Sequence, residues 1–329
     1  MSEHWKKYSY HIEPDADTTA TKILRLIGQN RRVLELGTAV GSMTQLIREA
    51  NNCTVVGMEI DPEMAKMAAP WCERMIVGNI ESMDLTETLG EDRFDVIVAA
   101  DVLEHLYDPW ACLLKIRSYL RPEGFIVLSV PNVAHNALLA ELLSGRFPYQ
   151  EKGLLDRTHL RFFTRSNLEE MLFASGYLPS KWDRNLVAES ATEFALDWKN
   201  TSSQVKASLA DNIEGQTYQF IVKAFPSTET GWVQKTGSDL QSVEQAKQKL
   251  EETLTTTMAE LAATQAELLA TKNELSRQRQ DKDAAEATSL AVNASLSEAQ
   301  TTLCGIQNRP YAYALRRMIL KARRILGLD

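Results

Sequence analysis

As far as Phe225, apolar residues gather into short runs separated by stretches in which they recur every three or four positions. The runs Arg32 to Leu36, Thr54 to Glu59, Arg74 to Val77, Phe94 to Ala99 and Gly124 to Val130 read as buried strands, with Tyr177 to Trp182 and Tyr218 to Ala224 as later ones. Between them, Thr21 to Ile27, Ser42 to Ala50, Pro62 to Ala69, Pro109 to Leu120 and Arg165 to Ser175 carry the spacing of helix faces. Apolar strands alternating with amphipathic helices predict an α/β fold, a doubly wound and mostly parallel sheet covered on both faces. Ligands of such sheets lie outside the carboxyl ends of the strands.

Beyond residue 225 the texture changes. Residues 226–239 are rich in Ser, Thr and Gly and read as a linker that separates a first domain, 1–225, from a helical region starting at residue 240. Leu240, Leu254, Leu261, Leu268, Leu275, Leu296 and Leu303 share one heptad register, and Val243, Leu250, Thr257, Thr264, Thr271 and Ile306 fall on the companion seam. Residues 240–306 are expected to form a coiled coil, a helix of about 100 Å at 1.5 Å per residue, and so to assemble the chain into a homo-oligomer. A lone helix would leave those leucines exposed, although Lys247, Lys282 and Ser289 weaken the seam. Arg309-Pro310 breaks the pattern, and 309–329 reads as a basic amphipathic helix: over 311–328 apolar Leu315, Met318, Ile319, Ala322 and Ile325 alternate with Arg316, Arg317, Lys321, Arg323 and Arg324. An anionic membrane surface suits such a helix; a solvated tail or a helix that docks on protein are the alternatives.

Composition narrows the class. Hydrophobic residues make up 44% and charged residues 24% of the 329, with a formal net charge of −8, which argues against nucleic acid as a partner. Cys53, Cys72, Cys112 and Cys304 are scattered, and no histidines cluster at ligand spacing, so neither a disulfide framework nor a metal site is expected. Residues 1–10 lack the apolar core of a signal peptide, and no run approaches the ~20 apolar residues of a membrane span. A cytoplasmic location is expected, peripheral at the inner membrane face if the basic helix binds lipid.

Candidate chemistry centres on Glu35-Leu36-Gly37-Thr38-Ala39-Val40-Gly41, where a strand turns tightly into a helix and backbone N–H groups are expected to face a ligand. Glu59 closes the next strand twenty-two residues after Gly37, where an acid can accept both hydroxyls of a ribose. Asp61, just before Pro62, suits a helix cap instead. Gly78-Asn79-Ile80 follows the third strand; Asn79 can meet a base edge or merely serve the turn.

Taken with Phe94-Asp95-Val96-Ile97-Val98-Ala99-Ala100-Asp101-Val102-Leu103-Glu104-His105-Leu106, these stretches resemble, in order and spacing, the motifs of class I S-adenosylmethionine-dependent methyltransferases. The resemblance spans roughly residues 20 to 225 and implies S-adenosylmethionine as cofactor. It implies that Glu35 orients the backbone at the cofactor's amino-acid end, that Gly37, Thr38, Ala39 and Gly41 form its floor, that Glu59 with Ile60 takes the ribose, that Asn79 and Ile80 bracket adenine, and that Asp101 and Val102 lie where donor and acceptor meet. The family usually has glycine in place of Ala39 and aspartate in place of Asn79.

Three histidines fall near the expected rim: His105, His135 and His159. Asp156-Arg157-Thr158-His159-Leu160-Arg161 packs acid, bases and histidine into one loop, and His159 oriented by Asp156 would make a proton acceptor for a hydroxyl; His135 is the next candidate, and His105 reads as structural. That loop is similar to methyltransferases of bacterial surface polysaccharide synthesis, which implies a carbohydrate or nucleotide-sugar acceptor, its phosphate held by Arg157 or Arg161. Two other readings stay open: a membrane-associated scaffold with a degenerate methyltransferase fold, and a methyltransferase of small molecules or lipids.

Overall fold

The computed structural model describes residues 16–305 and 312–325. The polar stretch 1–10, the break at Arg309-Pro310, Ile306 and the last four residues lie outside them. The chain divides after Gln245 into two compact units.

The first unit runs α1 (Thr19–Ile27), β1 (Arg32–Leu36), α2 (Ser42–Glu49), β2 (Thr54–Glu59), α3 (Pro62–Ala68), β3 (Arg74–Val77), α4 (Leu85–Leu89), β4 (Phe94–Ala100), α5 (Pro109–Arg117), β5 (Leu120–Pro131), α6 (Asn136–Leu143), α7 (Arg165–Ala174), β6 (Tyr177–Leu186), α8 (Ala195–Asn200), α9 (Ser203–Leu209) and β7 (Thr217–Pro226). The seven strands form one sheet in the order β3-β2-β1-β4-β5-β7-β6. β1 to β5 are parallel, and β7 pairs antiparallel with both β5 and β6. This is the doubly wound, mostly parallel sheet that the sequence predicts.

Alternate residues of each strand feed two cores, as the pleat requires. Leu34, Val56, Ile97, Ile126 and Val222 face α4, α5 and α7, while Val33, Val55, Val96, Val127 and Ile221 face α1 and α2. Helix starts are fixed by side-chain caps: Thr18 with Thr21 at α1, Asp61 before Pro62 at α3, Asp108 before Pro109 at α5 and Thr164 with Asn167 at α7. A third, smaller core joins Ala137 and Leu138 of α6 to Leu154, Leu155 and Phe194, and anchors the chain between β5 and α7 beyond the strand carboxyl ends.

Helix α10 spans Glu229–Gly305 and so begins inside the stretch read as a linker. Lys235 pairs with Asp239 one turn on, which supports the helix where apolar content is low. Leu240, Leu254, Leu261, Leu268 and Leu275 are between 57% and 69% exposed on the single chain. α11 covers Ala312–Ile325, and no helix among the described residues is long and apolar enough to cross a membrane.

Candidate active site

The carboxyl ends of β1 to β4 converge on a cavity of about 1030 Å³. β1 leads into the loop with Gly37 at φ +68°, Ala39 at +48° and Gly41 at +90°, all left-handed. A Cβ on Gly37 would stand 2.8 Å from Cγ2 of Val102, just past β4, and with the left-handed φ this favours glycine there. Ala39 takes the same backbone region with a methyl group attached, at a cost of about 1–2 kcal/mol.

Two expectations for this loop are corrected. Its N–H groups turn inward: Gly37 and Thr38 donate to the Met58 carbonyl at 2.8 and 3.3 Å, Ala39 to Glu59 Oε2 at 2.7 Å, and Gly41 to the Thr38 carbonyl at 2.9 Å. Gly41 also lies outside the cavity, because it caps α2 against α3, where a Cβ would meet Ala68 Cα at 2.8 Å. Gly37, Thr38 and Ala39 remain as wall.

The polar floor is therefore the Glu59 carboxylate, only 6% exposed. Besides Ala39 it accepts the Asp61 N–H on Oε1 at 2.9 Å. Each oxygen has lone-pair capacity left, which two vicinal hydroxyls can fill. Ile60 is exposed and Ile80 buried, and both line the cavity with Asn79. Asn79 Oδ1 accepts the Glu81 N–H at 2.9 Å, so the amide serves the turn.

Glu35 lies under the loop, buried, with Oε2 unpartnered. Burial, reinforced by Glu59 nearby, pushes its carboxyl up to about 8. The folded chain thus holds a proton there that the unfolded chain releases near 4.5. The resulting stability is complete below the unfolded value and is lost as pH rises through about 8. Thermal unfolding of the ligand-free protein should shift to lower temperature over that interval. Glu35→Gln should flatten this limb, and an unaltered slope in the variant would count against the assignment.

Asp101 follows β4 with φ +52°. Its N–H donates to the Ser129 carbonyl at 3.1 Å, Ser129 Oγ donates to Oδ1 at 2.7 Å, and Gln219 Nε2 donates to Oδ1 and Oδ2 at 3.0 and 2.9 Å. Gln219 is itself fixed by Thr19 Oγ1, which donates to Oε1 at 2.6 Å. The carboxylate meets the solvent of the cavity with protein all round, and this confinement raises its pKa despite the bonds from Ser129 and Gln219. Ser129, Gln219 and Thr19 are not legible as site residues in the sequence, since they come from three distant elements.

Beside Asp101, the single 3-10 turn Leu103–His105 meets the loop that carries His159. The two imidazoles stand 4.9 Å apart between ring centres at 72°. His105 Nδ1 donates to the Thr158 carbonyl at 3.2 Å and His159 Nδ1 to the Leu154 carbonyl at 3.3 Å. Asp156 Oδ1 accepts from the Thr158 N–H and hydroxyl at 2.9 and 2.7 Å, and its own carbonyl accepts the His159 N–H at 2.9 Å, so Asp156 shapes the turn that presents the ring. Glu104 is 1% exposed, with neither carboxylate oxygen hydrogen-bonded. Burial, with Asp101 close by, holds its pKa well above the usual carboxylate value. One ligand atom each from Glu104, His105 and His159 lie within 4.8 Å of one another. The sequence shows no ligand spacing because the loop closes across the interval from His105 to His159.

His135 is corrected outright. It is fully buried, outside the cavity, and caps α6: Nδ1 accepts the Ala137 N–H at 3.2 Å and Nε2 donates to the Val187 carbonyl at 2.9 Å. Burial lowers its pKa and keeps the ring neutral. His135→Ala should therefore lower stability by about 1–3 kcal/mol and leave cofactor affinity of the folded protein unchanged. A selective loss of methyl transfer at intact stability would reinstate the catalytic reading. Arg157 pairs with Glu151 at 2.7 Å, and Arg161 donates from Nε to the Tyr107 carbonyl at 3.0 Å; neither lines the cavity.

Among the described residues eight acidic side chains line the cavity, against one lysine, Lys152. A ligand with cationic groups suits such walls, and S-adenosylmethionine carries an ammonium and a sulfonium. The unpartnered Glu35 oxygen and the Glu59 carboxylate with spare acceptor capacity fit its amino-acid and ribose parts.

A glycine turn after β1, an acid ending β2 and a shared cavity at the switch of strand order define a nucleoside-binding α/β domain. A family model described as "Methyltransferase domain" matches residues 8–178. The chain belongs to this family, and its fold is that of the class I enzymes whose cofactor is S-adenosylmethionine. The ubiquinone biosynthesis O-methyltransferase of Actinobacillus pleuropneumoniae is 25% identical over 128 residues, 36% of this chain and 53% of that protein. Its counterpart from Aeromonas salmonicida is 27% identical over 154 residues, 45% of this chain and 63% of that protein. The matches thus span between half and two thirds of these relatives' length. Among solved structures, an S-adenosylmethionine-dependent methyltransferase from Mesorhizobium loti aligns over 63% of this chain and 98% of its own, at 16% identity and a TM-score of 0.43. The 1,6-didemethyltoxoflavin-N1-methyltransferase of Burkholderia thailandensis, with S-adenosylhomocysteine bound, aligns over 64% and 80%, at 20% identity and a TM-score of 0.41.

Proposed function

We propose that the protein is an S-adenosylmethionine-dependent O-methyltransferase whose acceptor is an uncharged hydroxyl compound, a sugar hydroxyl first among them. The acidic lining of the cavity carries this reading. The acidic lining offers a nucleotide-sugar diphosphate one lysine and no arginine, and the arginines read as its clamp are engaged elsewhere. A neutral glycan end fits better than the nucleotide-sugar alternative. A phenolic small molecule is the second reading, supported by the O-methyltransferase names of the curated relatives.

The cofactor, when bound, supplies a methyl group on a positive sulfur. Glu59 would hold the ribose, the wall from Gly37 to Ala39 would confine the amino-acid end, and the Gln219–Ser129 clamp would fix Asp101 between donor and acceptor. Activation of the hydroxyl falls to Glu104, His105 and His159 on the same wall.

Methyl transfer from labelled S-adenosylmethionine to neutral oligosaccharides, nucleotide-sugars and catechols tests the acceptor class. Label in a neutral hydroxyl compound is the expected result, and preference for the nucleotide-sugars would overturn it. Failure to bind the cofactor in calorimetry would favour the scaffold reading.

For the last two helices we propose self-association of α10 through its exposed leucines and attraction of α11 to anionic lipid. Arg316, Arg317, Lys321, Arg323 and Arg324 of α11 support the lipid contact.

A further inference from the structure

We propose that Glu104, His105 and His159 form a centre for one divalent first-row transition-metal ion at the acceptor end of the cavity. Their ligand atoms lie within 4.8 Å of one another. Oxygen and nitrogen ligands 2.0–2.2 Å from one ion stand about 3–4.4 Å apart, so a few tenths of an ångström of side-chain closure completes the site.

Three independent features point to a cation. Each imidazole donates its Nδ1–H to a main-chain carbonyl, Thr158 for His105 and Leu154 for His159. A carbonyl only accepts, so the bond fixes the tautomer and makes Nε2 the basic nitrogen, the arrangement that orients metal-ligating histidines. Glu104 is 1% exposed, lines the cavity, and has a hydrogen-bond partner on neither oxygen, a costly state that a cation relieves. Two imidazoles and one carboxylate also leave positions open to an acceptor oxygen, as in catalytic rather than structural sites. Asp101 is not counted as a ligand: Ser129 and Gln219 already donate three hydrogen bonds to its carboxylate, and it falls outside the close group of ligand atoms.

This inference rests on the O-methyltransferase reading for its chemistry, though not for its existence. An acceptor hydroxyl oxygen bound to the ion loses its proton to water in the cavity more readily. That oxygen's electron pair forms the new C–O bond, the C–S bond breaks with its pair left on sulfur, and the positive charge of the sulfonium is discharged. His159 is then a ligand, in place of the proton acceptor expected from the sequence.

The test is titration of the full chain, freed of metal, with Co²⁺ followed by its d–d absorption and with Mn²⁺ followed by electron paramagnetic resonance. One ion per chain is expected. Glu104→Gln and His105→Gln should each weaken binding by about 100-fold or more, beyond the 10–100-fold typical of residues that only orient ligands. Cofactor binding, measured on the same samples, confirms that each variant is folded. No bound ion in a chain that binds cofactor, or unchanged affinity in both variants, overturns the centre. An ion that binds as predicted in a chain that methylates no hydroxyl leaves the centre standing and removes the O-methyltransferase reading. Methyl transfer undiminished by chelation keeps the O-methyltransferase reading and removes the ion's part in activating the hydroxyl.

Discussion

Glu59→Ala will weaken S-adenosylmethionine binding by about a hundredfold or more. A carboxylate that accepts from two ribose hydroxyls makes two charged hydrogen bonds, each worth about 1.5–3 kcal/mol. The same carboxylate holds the Ala39 and Asp61 N–H groups at 2.7 and 2.9 Å, so its loss also frees the loop that walls the cavity. Calorimetry with cofactor and with S-adenosylhomocysteine measures the loss. Glu59→Gln separates the two roles: one carbonyl oxygen keeps one backbone donor, so loop stability recovers more than ribose affinity does. Unaltered cofactor affinity in the alanine variant sinks the ribose assignment.

The sheet was legible because its strands are apolar on both faces, and β1, β2 and β3 start and stop at the residues the pattern predicts. Helices α4, α6, α8 and α9 escaped because they are short and lack a clean apolar stripe. The acid ending β2 could be read from spacing, since it lies one βαβ unit from the glycine turn. Which glycine walls the cavity could not: Gly37 and Gly41 look alike in sequence, and only the packing of Val102 against one and Ala68 against the other separates them. Histidines were harder still. His135 and His159 both sit in polar stretches beyond strands, yet the small core of Leu138, Leu155 and Phe194 buries the first as a helix cap and carries the second to the cavity. The pairing of Glu104 and His105 with His159 is a tertiary fact that no local pattern encodes.

Leu261→Lys with Leu268→Lys will leave the chain monomeric in sedimentation equilibrium at concentrations where the parent chain associates. On the single helix both leucines are more than half exposed, at 57% and 69%. Burial of each against a second copy is worth about 1.5–3 kcal/mol, and a symmetric pair gains this in both chains. The companion seam adds little but does not oppose association. Thr257, Thr264 and Thr271 donate their hydroxyls to carbonyls one turn back at 2.9 Å, which satisfies the polar atom and leaves the methyl group for contact. Lys247 and Lys282 lie beside Glu251 and Glu286 of the same helix at 3.9 Å, pairs too exposed to fix a partner. The proposed association thus depends on the leucine seam, and two lysines near its middle place like charges where it requires apolar contact. Helical content should fall with it, because a long helix without a packed face is marginal in water. An unchanged mass in the double variant would mean that the stalk does not hold the copies together.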